Sequence, residues 1–424
     1  MSEAVKRRQI VIIGGGFAGL TAARTLRNAD ADITLIDRSN HHVFQPLLYQ
    51  VATASLAPSD ISAPIRWILR RQHNTTVFLG EVRSVDVERK VVCMDDGSRE
   101  LPYDYLIIAG GSRHAYFGHE DWERLAPGLK AIEDALEIRR RFLLAFELAE
   151  KSLDPAERDA LLTFVIVGGG PTGVELSGAL PLIARKALQP DFRRIDTRTT
   201  RVILLEGGRR ILPSFPESLA ATAHRNLEEL GVEVHTDSIV TRVEPDAVHV
   251  GDERIATHTV FWAAGNAAAQ IGKFLDAPTD HAGRVIVEPD LSVPGHPEVF
   301  VAGDMALVER EGMPPVPGVA PAANQEGRTA ARNIRRLMHG EPTKPFRYRN
   351  KGDLATIGRS HAIADFGKVH FTGRPAWFLW LTVHIMYLVG FRNRLSVLMQ
   401  WAYGYFTYQR GVRLIIDYER RRSH

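Results

Sequence analysis

Two glycine-rich loops, far apart in the chain, constrain what this sequence can fold into more than any other feature. Gly14-Gly15-Gly16-Phe17-Ala18-Gly19 follows the apolar run Arg8–Ile13 and precedes a stretch with helical character, 17–28. Gly168-Gly169-Gly170-Pro171-Thr172-Gly173 follows Leu161–Val167 and precedes 172–188 in the same way. Both fit G-x-G-x-x-G in a strand–turn–helix setting. The first glycine permits the tight turn, the second lets a pyrophosphate approach the backbone, and the third lets the helix lie close to the strand. A helix N-terminus there offers unpaired N–H groups and a positive dipole end to the phosphates. In each copy an acid ends the next apolar run: Asp37 after Ile33–Ile36, and Glu206 after Val202–Leu205. A carboxylate at that place meets the ribose hydroxyls of a dinucleotide. One such loop alone could be a plain glycine turn. The full order of strand, glycines, helix, strand and acid, used twice, argues for two dinucleotide sites. The expected fold class is α/β, with two Rossmann-like dinucleotide-binding domains.

The rest of the chain fits this plan. Residues 77–104 read as antiparallel strands with a turn at Asp95-Asp96-Gly97, and 232–249 read likewise. The runs YLIIAGG from Tyr105 and TVFWAAG from Thr259 each return as a strand into a glycine turn. VFVAGD ends at Gly303-Asp304, and a helix is expected over 320–338. At 424 residues the chain is too long for one core, so several domains are expected. We divide it into a discontinuous domain over 1–122 and 283–342, a second domain over 123–282, and a C-terminal segment over 343–424.

Glu206 favours NADH over NADPH, because a carboxylate repels a 2′-phosphate. Arg209 and Arg210 bear on the opposite reading, and their bland role is as solvated surface charges. Glu175, just past the second loop, has two readings of equal weight. It complements the helix dipole, or it is a carboxylate beside the nicotinamide and flavin.

The net charge of +3 lacks the dense basic stripe of a nucleic-acid binder, so no nucleic-acid partner is expected. The single cysteine, Cys93, excludes an internal disulfide or a dithiol redox pair and suggests a reducing compartment. No secretory or transit segment is recognisable at the N-terminus. No paired cysteines or HExxH point to a metal site.

The sequence resembles the type II NADH dehydrogenases, non-proton-pumping NADH:quinone oxidoreductases of the two-dinucleotide-domain flavoprotein kind. The resemblance spans nearly the whole chain. It rests on GGGFAGL at Gly14, HHVFQPLLYQVATASL from His41, AGG at Ala109 and GGGPTGVELSGAL from Gly168. AAG at Ala263, VAGD at Val301 and an AxxAxQxG stretch from Ala320 continue it. By this resemblance the first loop binds FAD, through Gly14, Gly16, Phe17, Ala18, Gly19, Asp37 and Arg38. The same resemblance adds Phe44, Gln45, Pro46, Leu47, Val82, Ala109, Gly110, Gly303, Asp304 and Ala320 as FAD contacts. It implies NADH at Gly168, Gly170, Pro171, Thr172, Gly173, Glu206, Ala264 and Gly265. Leu47, Gln50 and Gln325 would border the quinone, and Glu175 and Gln325 would serve catalysis. One position departs from the family: Pro321 stands where many members carry the first glutamine of the quinone motif. Proline suits a first helical turn, so the helix survives and the acceptor assignment loses a contact.

The C-terminal segment has its own character. Pro375–Phe391 is strongly apolar but sits at the lower limit of ~17 residues for a spanning helix. An aromatic stretch, Leu398–Tyr408, follows, with Arg392, Arg394, Arg410, Arg413 and Arg420–Arg422 around it. Tryptophan, tyrosine and arginine beside apolar helices suit a bilayer interface. We expect amphipathic helices lying on the lipid surface, at the cytoplasmic face of the cell membrane; packing onto the catalytic domains or a homodimer interface is the competing use. The function implied is hydride transfer from NADH to FAD and two electrons on to a membrane quinone. The alternatives are a soluble NADH-dependent flavoprotein with a protein acceptor, and a non-catalytic FAD- and NADH-binding redox sensor. A sulfide:quinone reductase needs a second cysteine that this chain lacks.

Overall fold

Apolar runs that are buried on both faces must lie at the centre of a covered parallel sheet, and the Arg8–Ile13 and Thr163–Val167 runs each do so. The computed structural model describes residues 7–95, 99–407 and 412–415. Its chain forms two compact units, one of 1–42, 63–113 and 266–351, the other of 43–62, 114–265 and 352–424.

In the first unit a six-stranded sheet runs in the order Ser292–Val293, His296–Val301, Tyr105–Ile108, Arg8–Ile13, Ala31–Asp37, Thr75–Leu79. Every neighbouring pair is parallel except the Ser292–Val293 edge. Ile10, Ile12, Leu35 and Ile107 are all buried. The Phe17–Thr25 and Ala320–Met338 helices pack together over it. The first helix stops short of residue 28 because the Asn74 amide donates to the Leu26 and Ala29 carbonyls and closes its end. Val82–Asp86, Val91–Met94 and Arg99–Pro102 form the expected antiparallel sheet. Of its Asp95–Gly97 turn, only Asp95 lies among the described residues.

In the second unit four parallel strands run in the order Val232–His235, Arg201–Leu205, Thr163–Val167, Thr259–Trp262. The Pro171–Leu182 helix continues as a π-helical turn, Ile183–Leu188. Pro181 gives no N–H to the Ser177 carbonyl, so the regular helical ladder is interrupted before 188. The same unit holds an antiparallel sheet of Asp353–Ile357, His361–Asp365 and His370–Thr372. The helices Gly373–Tyr387 and Phe391–Thr407 follow it.

The compact units regroup the segments expected from sequence. Residues 43–62 and 352–424 both belong with 114–265. The reason is packing that composition does not reveal. Helix Leu48–Ala52 packs on the long helix Ile132–Lys151, and Pro58–Ile61 packs on Phe391–Thr407. Asp60, buried, accepts hydrogen bonds from Ser396 and from Gln400, each at 3.0 Å.

Candidate functional site

The first glycine loop is shaped from its backbone. Gly14 has φ +99°, and a Cβ there would lie 2.2 Å from the Ala109 carbonyl oxygen, so only glycine fits. Around Gly16, by contrast, no atom would come within 4 Å of an added Cβ, which leaves the space a pyrophosphate needs. Asp37 accepts from the Gly15 N–H and from the Ser39 N–H, both at 2.6 Å. The carboxylate therefore latches the loop to the strand end and keeps lone pairs for ribose hydroxyls. Arg38 beside it is exposed, and the Asp37 carbonyl accepts from Gly80 at 2.9 Å, two residues before Val82. His42, which the sequence reading left without a role, is buried with Nδ1 3.1 Å from the Gly15 carbonyl oxygen. Its ring meets the edge of Phe17 at 5.0 Å, and burial pushes its pKa down, so it buttresses the loop as a neutral ring.

The second loop repeats the construction. Gly168 has φ +109°, and a Cβ would lie 2.6 Å from the Ala264 nitrogen, while Gly170 faces open space. Pro171 and Thr172 start the helix, and Gly173 would strike the Gly168 carbonyl oxygen if it carried a Cβ. Glu206 accepts from Gly169 N–H at 2.6 Å and from Gly208 N–H at 2.7 Å, the same latch as Asp37. Gly265 closes the neighbouring turn with φ +73°. Arg210 donates to the Phe215 and Pro213 carbonyls, at 2.8 and 3.0 Å, and Arg209 is exposed. Arg210 is thus turned to its own backbone, which leaves the Glu206 carboxylate to dominate.

In the first unit, Ser112 donates to Asp304 at 2.6 Å, and Gly110 N–H lies 3.2 Å from the Met305 sulfur. Ala18, Ala109, Ala302 and Ala323 form a buried small-residue cluster with Phe17 packed on it. Pro321 occupies the first turn of the helix that starts at Ala320. Gln325 donates to the Pro321 and Arg349 carbonyls and accepts from Arg349 N–H, all at 3.0 Å. All the partners of its side chain are backbone groups, so it anchors the chain leading into the C-terminal segment. Glu326, missed by sequence reading, is 2% exposed and accepts from Gly303 N–H at 2.5 Å. Burial, assisted by the nearby Asp304 charge, pushes its carboxyl up to about 8.

The second unit contains a cavity of about 130 Å³. Tyr49, Gln50, Thr356, Trp377, Trp380 and Trp401 are among its walls. Gln50, expected to border the quinone, lines this cavity. Leu47 does not line it and is fully buried in the Gln45–Leu47 turn. That turn also holds Pro46, and Gln45 donates to the Lys130 carbonyl at 3.2 Å. Phe44 is buried and meets the His384 ring edge-on at 6.1 Å. Of the C-terminal aromatic side chains, Trp377, Trp380 and Trp401 line this cavity. Glu175 sits one turn inside its helix, so it is not the first-turn dipole partner. Desolvation pushes its carboxyl up to about 8, against a lowering hydrogen bond from the Thr356 backbone. It therefore holds a proton at neutral pH, and the residue that bonds it also lines the cavity.

Two dinucleotide cradles, each latched by an acid, define a two-dinucleotide-domain pyridine nucleotide oxidoreductase. Residues 8–327 match the pyridine nucleotide-disulphide oxidoreductase family, and 350–408 match the NDH2 C-terminal domain. The type II NADH:quinone oxidoreductase NdhA of Mycobacterium tuberculosis is 46% identical, over 96% of this chain and 88% of that protein. A second protein of that organism, the type II NADH:quinone oxidoreductase Ndh, is 43% identical over 97% of this chain and 91% of its own. The chain belongs to the type II NADH:quinone oxidoreductase family. In fold it is similar to the NDH2 of Plasmodium falciparum solved with NADH. That match has a TM-score of 0.88 at 22% identity, covering 96% of this chain and all of that one. The sulfide:quinone oxidoreductase of Aquifex aeolicus shares the fold at TM-score 0.74 and 20% identity, over 92% of each chain. The single cysteine sets this chain apart from any member that works through a disulfide.

Proposed function

We propose that this chain oxidises NADH and reduces a membrane quinone through bound FAD, without pumping protons. The observation that carries the reading is the joint presence of two acid-latched nucleotide cradles and an aromatic cavity lined by Thr356, whose backbone bonds Glu175. Gly14, Gly16 and Asp37 would hold the FAD pyrophosphate and ribose, and Asp304, fixed by Ser112, would hold a further part of the cofactor. Gly168, Gly170 and Glu206 hold NADH in the same manner. When bound, FAD would supply hydride acceptance and two-electron release, chemistry that no side chain of this chain supplies. Glu175, neutral at pH 7, keeps a proton beside Thr356 for delivery toward the cavity. Gln50 and the tryptophans enclose the quinone ring there.

FAD binding is assigned to 1–122 and 283–342, NADH binding to 123–282, and membrane attachment to 343–424. The outer faces of the two last helices expose Phe378, Met386, Leu395 and Met399, with Arg392 exposed among them. Among the described residues no helix is long and apolar enough to cross a membrane. These helices rest on the lipid surface at the cytoplasmic face, where NADH is available. Anaerobic stopped-flow absorbance tests the reading directly. NADH should bleach the flavin rapidly, and a short-chain quinone mixed in second should restore its colour. Bleaching with no restoration by quinone would move the acceptor elsewhere, and no bleaching would remove NADH.

A further inference from the structure

The cavity wall contains two indole donors with different fates. Trp401 donates its Nε1–H to the Gln50 side-chain oxygen at 2.6 Å, and Gln50 in turn donates to the Tyr49 hydroxyl at 2.9 Å. The Gln50 amide is thus tied to protein through both its oxygen and its nitrogen. Trp380 lines the same cavity and is 2% exposed, yet its Nε1–H meets no acceptor among the described residues. An indole N–H donates and never accepts. Burying it unpaired is destabilising, and an acceptor brought in by a ligand of the cavity would relieve that cost. The ring is not free to turn away. It stacks on His384 at 4.2 Å and lies 5.4 Å from Trp401, and His384 Nδ1 is held 2.7 Å from the Trp380 carbonyl oxygen.

We propose that the Trp380 indole N–H donates a hydrogen bond to a carbonyl oxygen of the quinone and so fixes the ring in the cavity. The assignment rests on the quinone reading above and deepens it. A quinone suits this wall: it is flat, it has two carbonyl acceptors, and its ring carries no donor of its own. The surrounding rings, among them Trp377 and Tyr405 at 5.7 Å from each other, supply the stacking surface.

Trp380→Phe keeps a stacking ring and removes the donor. In the FAD-loaded full chain it should raise the KM for a short-chain benzoquinone about tenfold, with kcat changed less than about twofold, as loss of one hydrogen bond predicts. A second measurement needs no variant activity. Isotope-labelled wild-type holoenzyme, titrated with oxidised benzoquinone without NADH, should show one indole N–H resonance moving downfield, the one missing from Trp380→Phe. An unchanged KM together with a stationary indole resonance overturns the proposal. If the wild type meanwhile reduces quinone, the function stands and only Trp380 loses its role. If the wild type fails to reduce quinone at all, the functional reading falls and the assignment falls with it.

Discussion

At the scale of single residues, the acids carry the most pointed expectations. Glu206 takes two backbone N–H groups of its own loop, so replacing it disturbs the cradle and, with it, the proposed ribose contact. Glu206→Ala should raise the KM for NADH by about 10- to 100-fold, the range for losing charge-assisted hydrogen bonds. Flavin content measured by absorbance should not change. Glu175 sets a pH dependence. Its protonated form prevails below about 8, so quinone turnover should decline as pH rises through that value. Glu175→Gln cannot give up a proton, and its turnover should fall on the order of 100-fold with that inflection gone. Folding is linked to the same group. Its carboxyl starts from 4.5 and is raised to about 8 in the fold, so the folded chain is favoured most below 4.5. That contribution is lost as pH climbs toward 8, and thermal midpoints of Glu175→Gln against pH should lack that slope. Glu326 holds the Gly303 N–H, so Glu326→Ala should loosen FAD by about tenfold, read as flavin lost on gel filtration.

At the scale of elements, the helix after the second glycine loop is pinned from outside its own domain pattern. A Cβ on Gly178 would sit 2.6 Å from the Gly358 nitrogen, at the end of the Asp353–Ile357 strand. Gly178→Ala should destabilise the chain by about 1–3 kcal/mol, seen as a lower calorimetric midpoint. The sequence could not disclose that contact, because a glycine within a helical pattern reads only as a weak helix former. It did disclose the loops, since the turn at Gly14 and the latch at Asp37 leave a fixed spacing of residue types. The aromatic wall was legible as composition but not as direction. Trp377, Trp380 and Trp401 fit the pattern of a bilayer interface equally well, and a side chain's facing depends on which neighbour its helix packs against. Glu326 gave no signal either, because an acid next to glutamine in a polar helix looks solvated until the fold buries it. His42 was hidden by the opposite effect, being one of two adjacent histidines in a segment already accounted for.

For the molecule as a whole, the outer faces of the last two helices carry the proposed membrane attachment. Phe378→Asp combined with Met399→Glu introduces charge onto that exposed surface and should lower the fraction sedimenting with anionic vesicles by roughly tenfold or more. NADH-driven bleaching in detergent-free buffer should continue. A homodimer through the same surface would instead show as doubled mass in light scattering, abolished by the same pair of changes, with no vesicle binding in the wild type. The Gly373–Tyr387 helix presents Trp377 and Trp380 to the cavity and Phe378 and Met386 to the outside. If that outer face lies in lipid, as proposed, a compound designed for the cavity draws on the dose dissolved in oil, not the dose in the assay buffer. Its apparent potency then follows its partition coefficient, and adding empty vesicles to the tube dilutes it without changing a single contact it makes.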